Sequence, residues 1–227
     1  MKRVLLMLTV VLALSCQAGH EIKLFDRPPA ESSACPCPYP QTKSRFIHAI
    51  EVRSFPDVKT ALIGVTLIDP ASRSISCALM SAEGMAVFEA SATPAGLEIS
   101  RALPPLDSQN FARNMMDDIE MIFLPPQSTD IQKGTLADGR RVCRYQSNDG
   151  WLDMAGGEGG KIEIKRYEKG GGLKRCVTLA AGASGHYEAI ELAAPGIFGY
   201  RLTMTLIDSQ GPDGELFVPD ENRGGDK

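Results

Sequence analysis

The chain has 227 residues, 43% of them hydrophobic, and a formal net charge of -4. That length fits one domain plus a linker, or at most two small domains, and is large enough to build a core without a structural metal. Its cations come in small groups, Arg140, Arg141 and Arg144 or Lys174 and Arg175, typical of solvated strand faces. They give no basis for nucleic-acid binding.

The chain begins with Lys2 and Arg3, then an apolar run from Val4 to Leu14. Eleven helical residues span about 16 Å against a bilayer core of about 30 Å, so the run is too short for a comfortable membrane span. A basic start, an apolar stretch and a small residue fit a cleaved signal. The segment Leu12-Ala13-Leu14-Ser15-Cys16 resembles the bacterial lipobox. The resemblance implies cleavage after Ser15 and acylation of Cys16, whose several chains would anchor the protein stably. The competing reading is an ordinary secretory signal with a coincidental cysteine. Gln17, where an Asp would favour inner-membrane retention, implies the outer membrane with the domain facing the periplasm. Loss of Lys2 and Arg3 takes the charge from -4 to -6.

Residues 16–42 read as the lipidated cysteine and a tether. Pro28, Pro29, Pro36, Pro38 and Pro40 fix φ and remove donors, so the stretch is expected to be extended and poorly packed. With Cys16 assigned to lipid, Cys35, Cys37, Cys77, Cys143 and Cys176 remain as disulfide candidates. An odd set leaves at least one thiol unpaired, or paired between molecules. Cys35-Pro36-Cys37 could join a strand cysteine, form a CxC redox pair or hold a metal. The spacing is tight for zinc, and no metal site is expected. Cys143 and Cys176 could face each other across strands.

From Ser44 the pattern becomes short strands with local turns. Phe46 to Arg53 and Val58 to Ile68 come first, the second apolar on both faces. Ile75, Cys77 and Leu79 alternate with small residues. Glu83-Gly84 leads into Met85 to Ser91, and Pro94-Ala95-Gly96 into Leu97 to Leu103. Local turns argue for an antiparallel meander. A helix follows, with Asp107 or Ser108 as N-cap. Phe111, Met115, Ile119 and Ile122 fall on one face, widened by Met116 and Phe123, and Pro125-Pro126 ends the helix. Strands resume over Arg140 to Gln146, Trp151-Leu152, Lys161 to Tyr167, Leu173 to Ala180, His186 to Leu192 and Phe198 to Leu206. The chain from Ser209 to Lys227 reads as a loose tail. The expected domain, residues 43–208, is α+β. It is a single curled antiparallel sheet of about ten strands, an incomplete barrel, with one apolar helix packed on its concave side.

Several segments resemble the LolA/LolB-like envelope proteins, and most closely a family of small LolB-like lipoproteins. They are Ala61 to Val65, Ala82 to Phe88, the helix from Phe111 to Phe123 with Asp117-Asp118-Ile119 at its centre, Ile190-Glu191-Leu192, and Gly199 to Leu202. The resemblance covers most of residues 45–208. It implies a lidded, incomplete barrel whose apolar cavity takes acyl chains. The candidate wall is then Phe111, Met115, Met116, Ile119 and Ile122, and Met in particular suits a wall that adapts to variable chains. Ordinary core packing is the competing reading of the same stripe.

No catalytic constellation is expected, and no cofactor. Gly156 to Lys161 lacks the first Gly and the Ser or Thr of a phosphate loop and precedes a strand. Gly182-Ala183-Ser184-Gly185-His186 has the wrong spacing for a nucleophile elbow. The histidines are His20, His48 and His186. The expected partners are a lipid or acylated ligand, the membrane through the lipid anchor, and an envelope protein.

Overall fold

A computed structural model describes residues 22–24, 34–54, 58–182, 187–196 and 199–211. The signal, with Ser15 and Cys16, lies outside them. So do Ser184, His186, Phe198 and most of the expected tail.

The strands are β1 (Lys23–Leu24), β2 (Ser44–Ser54), β3 (Val58–Asp69), β4 (Ser74–Met80), β5 (Ala86–Thr93) and β6 (Gly96–Ala102). The helix α1 (Gln109–Phe123) comes next. Then follow β7 (Ile131–Thr135), β8 (Arg141–Ser147), β9 (Gly150–Gly156), β10 (Ile162–Glu168), β11 (Leu173–Ala181), β12 (Tyr187–Ala194) and β13 (Tyr200–Gln210). All pairings are antiparallel, in the order β1-β7-β8-β9-β10-β11-β12-β13-β2-β3-β4-β5-β6. Two meanders, one before the helix and one after, therefore meet where the last strand pairs with β2. The register Leu202↔Val52 and Met204↔Ile50 matches their apolar faces.

The count exceeds the expected ten. β7 is not legible in sequence because Ile131-Gln132-Lys133-Gly134-Thr135 has no alternation, and its buried Gly134 sits close against Ile22 and Lys23. β13 runs on to Gln210, so the tail begins later than Ser209.

The sheet is open and curled. Phe111 stacks edge-on against Phe88 of β5, and Asp118 binds Arg175 of β11. Those strands are six positions apart, about 29 Å across a flat sheet, whereas Phe111 and Asp118 are about 10 Å apart along a helix axis. Only a curved sheet brings both strands to one helix.

Helix α1 starts where expected: the Ser108 hydroxyl accepts from the Phe111 N–H at 3.1 Å, which settles the N-cap in favour of Ser108 over Asp107. It ends at Phe123, with Leu124 as cap, just before the prolines. The concave side carries the core, which joins Phe46, Ile50, Ile68, Ile75, Leu79 and Phe88 to Met154, Ile164, Val177, Leu179, Ile190 and Leu192. Gly64, opposite His48, leaves room for Ile50, whose Cδ1 would lie 2.5 Å from a Cβ built there. On the opposite face, Arg144 binds Asp153 at 2.7 and 2.8 Å and lies over Trp151, while Arg140 reaches Asp138 and Glu163. These two arginines are ion-paired, not a basic patch.

The expected tether is corrected in its last part. Residues 34–42 form a strap over the concave side, pinned by a Cys35–Cys143 disulfide to β8. Tyr39 is only 5% exposed and joins the core cluster. Proline removed backbone partners, but an aromatic anchor and a covalent link supply the packing that proline content argued against. The disulfide also corrects the cysteine pairing. Cys143 lies in the row of Met154 on the concave face, while Cys176 pairs with Lys165 on the opposite one, so the two cannot meet. Cys77 and Cys176 are buried thiols, and Cys37 is an exposed one.

Candidate functional site

The five wall residues predicted from sequence do not behave alike. Met116 and Ile122 are buried, Met116 against the Cys77 thiol at 3.4 Å. Phe111, Met115 and Ile119 are only half-buried, although they belong to the same apolar stripe. On the concave side of the sheet, Tyr145, Ile162, Tyr187 and Leu202 are likewise half-buried around the core. An apolar helix laid in a curled sheet thus leaves part of its contact surface open to solvent.

On one flank of α1 lies a cleft of about 370 Å³. Its apolar lining includes Ile75, Ala92, Leu97 and Met116, and its charged lining includes Arg73, Arg113, Asp117 and Glu120. The size is at the low end for small-molecule sites. Arg73 closes one end. In the β3–β4 turn at φ 51°, it donates to the Pro125 carbonyl at 2.9 Å and to Glu120 Oε1 at 2.7 Å, tying the turn to the end of α1. Burial pushes the Asp117 carboxyl above the usual range, and Glu120 and Asp118 add to that against Arg166 and Arg113.

On the other flank, Asp118 is 4% exposed and points at the sheet. Arg175 donates to its Oδ1 at 2.7 Å, and the Tyr200 hydroxyl donates a short bond to its Oδ2. The Arg175 guanidinium also lies 5.4 Å from the Tyr200 ring centre. Burial raises the Asp118 carboxyl, against the pull of Tyr200 and Arg175. Burial equally opposes the Arg175 charge, but Asp118 and Tyr200 outweigh it and hold that guanidinium more firmly protonated. The ionised pair is the state consistent with both, because a guanidinium does not lose its proton in proteins. In sequence, Asp117 and Asp118 lie largely off the apolar stripe and at the centre of a segment that carries the resemblance, with no role of their own. A carboxylate on the edge of an apolar stripe was the available signal for a buried tie.

His48 on β2 is 1% exposed, ringed by Phe46 and Phe123 at 6.2 and 5.9 Å between centroids, with Nδ1 unpartnered. Burial lowers it to about 4. It is a neutral core histidine. Among the described residues no group of three or more His, Cys, Asp or Glu side chains could hold a metal ion. The disulfide removes Cys35 from any such site.

No model of a known protein family matches the chain, and no curated protein matches it. Among solved structures, the crystal structure of a LolA superfamily protein from Nitrosomonas europaea is similar, with 14% identity and a TM-score of 0.41. The match covers 80% of this chain and 92% of that one. The likeness is loose, and function has to be read from the residues of the site.

Proposed function

We propose that this chain is an outer-membrane lipoprotein, anchored through Cys16, whose domain binds or transfers an acyl-bearing molecule on its concave side. One observation carries the binding reading: the half-buried Phe111, Met115 and Ile119 within the inward stripe of α1, on the same side as half-buried Tyr145, Ile162 and Leu202. Apolar surface left half open is worth about 0.8 kcal/mol for each methylene that covers it. This is a reading of binding rather than catalysis, supported by the pairing of Arg73 with Glu120 and of Arg175 with Asp118 beside α1. The signal and lipobox support the address.

Mass spectrometry of the purified full chain tests this. The expected N-terminal peptide starts at an acylated Cys16, and lipid extraction releases a bound acyl molecule. If no lipid is ever recovered and fatty-acid probes do not bind, the binding reading fails. A second reading, an assembly lipoprotein acting through a protein partner, draws on Leu67 and Ile207, 43% and 56% exposed on strands flanking β2. In-cell cross-linking that recovers one dominant protein, from a chain with no bound lipid, would favour it.

A further inference from the structure

Arg166 of β10 and Arg175 of β11 stand directly opposite each other on the concave face. Like charges in that position repel, so each guanidinium calls for an anion. Arg175 has one in Asp118. Arg166 does not: half-buried, it makes no hydrogen bond or ion pair with any of the described residues. Its charge is within electrostatic range of Asp117 and Asp118 of α1 and of Tyr39 of the strap.

Tyr39 supplies a second, independent sign. Its side chain is buried, yet its hydroxyl has no partner. Leaving a buried hydroxyl unpaired is costly, so the strap carries an unfilled donor within electrostatic range of a cation that makes no ion pair among the described residues. Tyr145 belongs to the same row of the sheet, through the pairings Tyr145↔Leu152 and Leu152↔Arg166. The neighbourhood is rich in donors, with apolar walls at Leu152 and Ile164.

The geometry points to an oxyanion site, in which Arg166 and the Tyr39 hydroxyl take the carboxylate or phosphate head of an acyl-bearing ligand whose chain lies under α1. A guanidinium suits this because its fork can donate two parallel bonds to such a head. This inference rests on the acyl-binding reading above. It adds the chemical class of the ligand, an anionic amphiphile, and the residues that meet its head.

Calorimetric titration of the delipidated full chain with oleate, methyl oleate and inorganic phosphate tests it. A charge-assisted contact to the head predicts that oleate binds about tenfold more tightly than its uncharged ester. Arg166→Gln should bring the two to equal affinity by weakening oleate alone. The variant should fold, because it removes a charge facing Arg175, and its melting temperature checks this. Tyr39→Phe should weaken oleate severalfold while melting at or above the wild-type temperature. The site is overturned if oleate and methyl oleate bind the wild type equally, or if Arg166→Gln weakens both alike. Phosphate binding without any preference for oleate would overturn the head-group assignment in favour of a free anion. Failure of both oleate and ester to bind would sink the acyl-binding reading itself, and the site with it.

Discussion

The Cys35–Cys143 link joins residues 108 apart and encloses the first meander and the helix. Replacing both cysteines by serine frees the unfolded chain from that closure. The chain-entropy relation gives about 4.8 kcal/mol at 25 °C for a loop of this length. Part of that will not appear, because without the link the strap can also loosen in the folded state, held then by Tyr39 and its junction with β2. The expected loss is therefore about 2–5 kcal/mol, or roughly 5–15 °C in melting temperature for a domain of this size. Circular dichroism during thermal and urea unfolding, without reductant, measures it. Dithiothreitol added to the wild type should reproduce the double variant, and Cys37→Ser alone should change little because that thiol is exposed and unbonded to another sulfur. A Cys35→Ser/Cys143→Ser protein melting within about 2 °C of wild type would refute the assignment of the strap as a covalently held part of the fold.

Two further outcomes follow from buried groups. His48 titrates near 6.5 when unfolded and about 4 when folded, so between those values the unfolded chain holds the extra proton. Stability should then fall as pH drops from about 6.5 to 4, by about 3 kcal/mol in all. Urea midpoints for wild type and His48→Phe should diverge in slope over that window, and parallel curves would exclude the histidine as the cause. Asp118→Asn leaves Arg175 half-buried without its counter-ion and should cost about 3 kcal/mol, read as a lower melting temperature. An unchanged value would mean that the helix is not tied to β11 through this pair.

Much of the sheet was legible because its strands alternate. Ile75, Cys77 and Leu79, or Leu202 and Met204, declare a buried face by period alone. The helix was legible from its apolar stripe, a cap at Asp107 or Ser108 and the Pro125-Pro126 stop. The site was less so. Arg166 and Arg175 look like ordinary strand cations in sequence, and nothing local shows that they stand side by side. Tyr39 sits among prolines that predict loose chain.

The sequence by itself determined the antiparallel class and the inward-facing helix found among the described residues, since each depends on composition or period within a short stretch. Tertiary structure alone decided the strap, the disulfide partner and the unpaired Arg166. Each of those depends on register between strands far apart in the chain and on which face of a curled sheet a side chain meets. A period of two gives alternation along a strand, but not which neighbour the next strand will bring.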